Sequence, residues 1–389
     1  MSSLRAERQL ILLSAGTAAR RQEMRERGRR LAVEVEWARL AGTLLARNLL
    51  PTLGPRIMEL AGDRADDGFA AAVERSLEAG RRQSAVLQLL TLRAMAMLAD
   101  AGICCSPLKG PLLGEAIYGE LGRRLSGDID LLVAPEQLTR AVEVVRELGY
   151  GAPSDHLPAD GLPCLHFRLL DERRKLPPVE LHWRVHWYER SFAYDRLLTP
   201  TVDPRGEWRP ARADELAGLL LFYARDGFID LRMAGDVGAW WDVYGVDLPN
   251  GALDPLLSAY PALARVLAAA LAVAERVVGL PAVDLIGGTH GLGPRERVVV
   301  RLANPNPRSS QSQLYADAGL IDGLLAPAGG FGAFVRRQLL LPAEVRGQQA
   351  RHGAKPRVRS QLGRCVGMLG RYGRTVTRLA RASEASPMS

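Results

Sequence analysis

Apolar residues along this chain change their period twice. Up to about residue 98 they recur at helical spacing. Leu31, Val33, Val35, Trp37, Ala38, Leu40, Leu44 and Leu45 form one stripe, 51–55 with its two prolines is expected to break it, and 69–98 is a long Ala/Leu-rich run with few breakers. Between 99 and 190 the period shortens toward two. Residues 103–108 and 128–134 read as strands, with a Pro-led helix at 111–118 between them; a helix over 135–148 ends at Gly149. Residues 164–170 and 179–185 read as two further strands. In the last, VELHWRV, alternation puts Glu180, His182 and Arg184 on one face and Leu181, Trp183 and Val185 on the other. From 191 helical spacing returns, with helices predicted from Pro210, Asp214 and Glu215 through Tyr223 and over 231–244. Residues 304–313 (NPNPRSSQSQ) read as a loop. Residues 361–381 read as a basic amphipathic helix with Leu362, Cys365, Val366, Leu369, Tyr372, Val376 and Leu379 on its apolar face. The expected class is α+β: a small mixed β-sheet core over 99–190, inserted between an N-terminal helical region, 1–98, and a C-terminal helical domain with a basic tail, 191–389.

Composition narrows this picture. At 389 residues and 47% apolar content the chain can bury more than one core. The net charge of +8 is local: residues 336–381 hold twelve Lys or Arg against Glu344 alone, so that segment is +11 and the rest of the chain −3. The basicity therefore says nothing about the core. Arg20, Arg21, Arg25, Arg27, Arg29 and Arg30 read as a solvated face. Cys104, Cys105, Cys164 and Cys365 contain no Cys-x-x-Cys pair and are expected to be reduced, mostly buried thiols of a cytoplasmic protein. Leu10 to Leu13 is too short for the apolar core of a signal peptide. No stretch reaches membrane-spanning length; the best, 266–274, is closed off by Arg265 and by Glu275-Arg276. No Walker A or dinucleotide-binding glycine fingerprint occurs.

The chemistry-bearing stretch is 106–133, SPLKGPLLGEAIYGELGRRLSGDIDLLV. Asp128 and Asp130 are two residues apart and so share a strand face. Like charges so close call for a cation, and a divalent ion, Mg²⁺, is the simplest. Gly110 lets backbone approach a phosphate without a Cβ. Lys109, one of three lysines against 48 arginines, and Arg124 are candidate donors to phosphate oxygens. His182 and His186 have the spacing of a helical zinc pair, but on a strand that spacing does not converge, so no zinc site is expected there.

The order of these motifs resembles the uncharacterised nucleotidyltransferases of the nucleotidyltransferase superfamily. The resemblance rests on Leu108-Lys109-Gly110, Arg124, Asp128-Ile129-Asp130-Leu131-Leu132-Val133 and Glu180-Leu181-His182-Trp183, and is specific over 106–186. Two features depart from the wider superfamily: Lys109-Gly110 stands where Gly-Ser is common, and the interval to Asp128 is longer. The resemblance implies two Mg²⁺ ions on Asp128 and Asp130, with Glu180 as the third carboxylate. It implies nucleotide contacts from Lys109, Gly110, Arg124, Ser126, Gly127 and His182, and an accessory role for Asp236. Family positions that are often His are occupied here by Tyr223 and Asp226. The implied reaction is Mg²⁺-dependent transfer of a nucleoside monophosphate from an NTP to a hydroxyl or phosphate acceptor, with a peptide, sugar or small molecule expected ahead of nucleic acid. Two alternatives carry different expectations: a nucleotide-binding regulator without turnover, and an interaction protein that uses the helical flanks and the basic tail.

Overall fold

The computed structural model describes residues 3–153, 165–198 except 172 and 174, 201–202, 208–281, 284–287, 291–303 and 311–327, with positions 329, 330, 332, 334, 370, 373 and 377 beyond them. Apart from positions 370, 373 and 377, the basic helix expected over 361–381 lies outside the described residues, as does most of the expected loop 304–313.

The N-terminal helices are α1 (Ser3–Ser14), α2 (Ala18–Glu23), α3 (Arg25–Ala32), α4 (Trp37–Leu45), α5 (Leu50–Ala61) and α6 (Asp67–Asp100). Three of these helices start at side chains that satisfy free N–H groups: Thr17 accepts from Arg20, the Glu36 carboxylate from Ala38 and Arg39, and Asp66 from Phe69. The break expected at 51–55 does not occur. Pro51 lies in the first turn of α5, where a missing N–H costs nothing, and Pro55 is carried inside the same helix. The expected solvated Arg face also loses one member: Arg21 is buried, with its guanidinium on Glu59 and on the Gly16 carbonyl.

The sheet follows, with strands β1 (Cys105–Pro107), β2 (Ile129–Val133), β3 (His166–Leu169) and β4 (Val179–His182), and with α7 (Pro111–Tyr118) and α8 (Leu138–Glu147) between them. Strand order is β1-β2-β4-β3. Only the β2–β4 pair is parallel, so the sheet is mixed as expected. The pleat sorts its side chains. Ile129, Leu131, Val133, Phe167, Leu169, Val179 and Leu181 join Leu87, Ala94 and Leu98 of α6 and Val142 and Val145 of α8 in one buried apolar cluster. Asp130, Leu132, His166, Glu180 and His182 take the other parity, and Leu132 belongs to a second, larger cluster built from the helical flanks. Strand β4 is shorter than expected. After His182 the chain turns away, and the Val185 N–H donates to the Glu189 carboxylate instead of a ladder carbonyl, so Arg184 does not extend the acidic face. Cys104 is exposed and Cys105 half-buried, less enclosed than expected. Burial pushes the Cys105 thiol up to about 12, which keeps it protonated and un-nucleophilic.

Beyond the sheet lie the short ribbon β5 (Thr201–Val202) and β6 (Trp208–Arg209), then α9 (Arg212–Arg225), α10 (Leu231–Tyr244), α11 (Asp254–Ala259), α12 (Ala264–Val278), α13 (Pro294–Leu302) and α14 (Gln311–Leu324). Helix α14 begins inside the stretch that was expected to be loop. Leu219, Leu220 and Tyr223 of α9, Val237 and Trp240 of α10 and Leu267 and Leu271 of α12 pack with Leu10, Leu53 and Ile57 from the N-terminal helices and with Leu113 and Ile117 of α7. The two helical flanks thus close one continuous core over the face of the sheet opposite α8. No helix among the described residues is long and apolar enough to cross a membrane.

Candidate active site

Register brings the acids together. Asp130 on β2 pairs with Glu180 on β4, and both point to the non-α8 face. Asp128 enters just before β2. Ligand atoms of Asp128, Asp130 and Glu180 lie within 4.8 Å of one another. Asp130 is 3% exposed, and its Oδ1 is held by Lys109 Nζ at 3.1 Å and His182 Nε2 at 2.9 Å. Its Oδ2 is buried without a hydrogen-bond partner. A buried carboxylate oxygen with no donor costs about 1–3 kcal/mol, which a cation offsets. The three acids thus fit a divalent, oxygen-preferring ion such as Mg²⁺.

The electrostatics are asymmetric within the triad. Burial pushes Asp130 up, but the Lys109 ammonium and the His182 hydrogen bond outweigh it and hold the carboxyl well below its ordinary range. Burial and the neighbouring Asp130 charge instead raise Asp128. Glu180 is opposed by burial, yet its neighbours His182 and His166 bring it down to about 2. Burial would strip the proton from Lys109, but Asp130 and Asp128 raise it, so the ammonium stays charged beside them.

The segment that delivers Asp128 is clamped from three helices. Thr52 Oγ1 on α5 donates to the Arg123 carbonyl at 2.5 Å, and Gln83 Nε2 on α6 donates to the Ser126 carbonyl at 3.1 Å. Arg232 Nη1 on α10 donates to the Leu125 carbonyl at 3.1 Å. Arg124 Nε meets Asp236 Oδ2 of α10 at 2.8 Å, Arg124 Nη1 donates to Ser126 Oγ at 2.5 Å, and Tyr118 Oη donates to Asp236 Oδ1 at 3.0 Å. Arg124 is 3% exposed and Asp236 0%, so in this conformation the Arg124 guanidinium is committed to Asp236 and Ser126 and braces the loop. Gly110 has φ +92° and ψ −157°, a region open essentially to glycine alone, at the N-terminus of α7. At Gly127 a Cβ would meet no protein atom within 4 Å, so the backbone there borders open space.

A family model described as uncharacterised nucleotidyltransferase matches residues 33–279, well over half the chain. The chain belongs to that family. The match runs from just ahead of α4 to Gly279, the cap of α12, so this nucleotidyltransferase family unit takes in the helices around the sheet as well as the sheet itself. No curated protein and no solved structure matches the chain.

Two residues at this nucleotidyltransferase-family site carry no motif in the sequence. Arg225, at the last turn of α9, stacks its guanidinium over the Phe222 ring at 4.6 Å, while Lys109 Nζ lies 5.2 Å from the same ring. Its like charge disfavours that of Lys109, so a second cation lies near the acids, and its Nε also donates to Asp226 Oδ1 at 3.3 Å. His166 stands across the ladder from His182, their ring centroids 4.7 Å apart. Burial, with His182 beside it, lowers His166 to about 3, so the ring is neutral. Neither residue could be placed without knowing the register of β3 or the docking of α9.

Proposed function

We propose that this protein transfers a nucleoside monophosphate from an NTP to a hydroxyl or phosphate acceptor, with Mg²⁺ held by Asp128, Asp130 and Glu180. The observation that carries the reading is the convergence of three carboxylates around a buried Asp130 oxygen that lacks a partner. Bound there, two Mg²⁺ ions would neutralise the triphosphate and lower the pKa of the acceptor hydroxyl.

The protein's own groups have separable tasks. Asp130, fixed by His182, presents its free oxygen in one orientation. Lys109 and Arg225 offer their charges to phosphate oxygens, and the Lys109 ammonium is the nearer of the two to Asp130. Gly110 and Gly127 leave room for phosphate against backbone. Arg124 and Asp236 set the path of the Ser126-Gly127-Asp128 segment. The pyrophosphate leaves as the acceptor oxygen attacks the α-phosphorus. A peptide, sugar or small-molecule acceptor suits the core, since the chain outside 336–381 carries −3 and offers nucleic acid no net attraction.

The test is pyrophosphate release by the purified full-length chain with each NTP, in Mg²⁺ and in EDTA. Release that needs Mg²⁺ and disappears in Asp130→Asn supports transfer. Tight NTP binding with no release under any acceptor would replace this reading with the nucleotide-binding regulator.

A further inference from the structure

We propose that His166, Glu180 and His182 form a separate cation position that takes a transition-metal ion of the Zn²⁺ type in preference to Mg²⁺. The strand ladder builds it. His166 on β3 faces His182 on β4 directly across an antiparallel pair, and Glu180 is the next residue of the same parity on β4. His166 Nε2 and His182 Nε2 each lie 3.5 Å from Glu180 Oε2, and the ligand atoms of the three residues all fall within 4.8 Å of one another.

Those separations are long for hydrogen bonds and match shared coordination. An N–H···O bond is about 2.7–3.2 Å. Two donors about 2.1 Å from one tetrahedral ion are about 3.4 Å apart. The two imidazoles are tilted at 45° to each other and do not stack. The Nδ1 atoms of both rings are buried without a hydrogen-bond partner. A buried and a half-buried imidazole and a carboxylate thus converge at separations longer than an ordinary N–H···O bond, and the shorter contact of His182 is to Asp130 Oδ1.

Ligand chemistry separates this position from the Asp128–Asp130–Glu180 triad. Oxygen donors alone suit Mg²⁺, whereas two imidazoles and one carboxylate suit Zn²⁺, Co²⁺ or Mn²⁺. Glu180 belongs to both sets, so the two positions share one ligand. Asp130 Oδ1 is the competing partner of His182 Nε2 at 2.9 Å, and an ion in this position would displace that hydrogen bond. The proposal stands on the imidazole geometry and does not depend on nucleotidyl transfer.

The test is a Co²⁺ titration of the EDTA-treated full-length protein, followed by visible d–d absorption. Binding at one Co²⁺ per chain that survives a large excess of Mg²⁺, and that weakens at least about 10-fold in His166→Gln, is the expected result. Co²⁺ that Mg²⁺ displaces at comparable concentration, or that binds His166→Gln as tightly as the parent, would overturn it. Should that variant fail to fold, Zn²⁺ added to the unsubstituted protein with ¹⁵N-labelled histidine gives an independent answer. Ring nitrogens of two of the six histidines should shift; a spectrum unchanged by Zn²⁺ would refute the site. Neither readout involves NTP, so a failure here is distinct from a failure to release pyrophosphate.

Discussion

Removing the carboxylate of Asp236 should destabilise the protein strongly, and replacing its whole ion pair should not. Asp236 is 0% exposed and its cationic partner, Arg124, is 3% exposed, with 2.8 Å between Nε and Oδ2. Asp236→Ala leaves the guanidinium buried without its counter-charge and takes the acceptor from Tyr118. Breaking a buried pair from one side costs about 3–5 kcal/mol, and the lost tyrosine hydrogen bond adds about 1. With an unfolding entropy of about 2.1 cal/mol/K per residue, a cooperative unit of 389 residues loses roughly 5 °C of Tm for about 4 kcal/mol. If only the helical core unfolds as a unit, the shift is larger. The double variant Arg124→Met/Asp236→Leu removes both charges at similar volume and should recover most of that loss. Scanning calorimetry of the parent, Asp236→Ala and the double variant is the measurement. A Tm for Asp236→Ala within 1 °C of the parent, or a double variant no more stable than Asp236→Ala, would show that the pair is solvated or free to exchange partners. The reading of Arg124 as a brace would then fail, and the guanidinium would be free for phosphate.

The other predictions concern the acids, the second cation and one buried glutamate. Asp130→Asn keeps the shape and should cut pyrophosphate release by at least about 10²-fold while circular dichroism is unchanged; near-parent turnover would remove Asp130 from the metal set. Arg225→Ala should raise the KM for NTP and leave the Mg²⁺ titration in place; an unchanged KM would return Arg225 to a packing role on Phe222. Glu189 is 2% exposed, and burial pushes its carboxyl from 4.5 up to about 7. The folded state therefore holds this proton more tightly than the unfolded chain. The associated stability is full below pH 4.5 and is lost as pH rises through 7, by about 3 kcal/mol. Relative to the parent, Glu189→Gln should gain stability between pH 5 and pH 8; a Tm difference independent of pH in that window would refute the shift.

Local pattern was enough to find the elements and to choose their faces. Period two puts Asp128 and Asp130 on one face of DIDLLV, opposite Ile129 and Leu131, and Glu180 and His182 on one face of VELHWRV, opposite Leu181 and Trp183, because successive side chains of a strand point to opposite sides whatever surrounds them. Helical spacing located α6, α9 and α10 for the same reason, and the Asp-Ile-Asp and Glu-Leu-His-Trp motifs pointed to the family. The pattern over-extended β4 to 185: the Trp183 N–H still donates to the Leu165 carbonyl, but by Val185 the backbone N–H donates to Glu189 instead. It also read 51–55 as a break, although Pro51 falls in the first turn, where no N–H is needed, and α5 carries Pro55 in its interior. Pairing between distant segments left no local trace. That Asp130 stands opposite Glu180, and His166 opposite His182, depends on strand order and register across separations of 50 and 16 residues. That Arg124 meets Asp236 depends on how α10 docks beside α7. A guanidinium in a sequence is equally suited to a phosphate and to a carboxylate; only the tertiary packing, by burying Arg124 against Asp236, committed that one to a carboxylate.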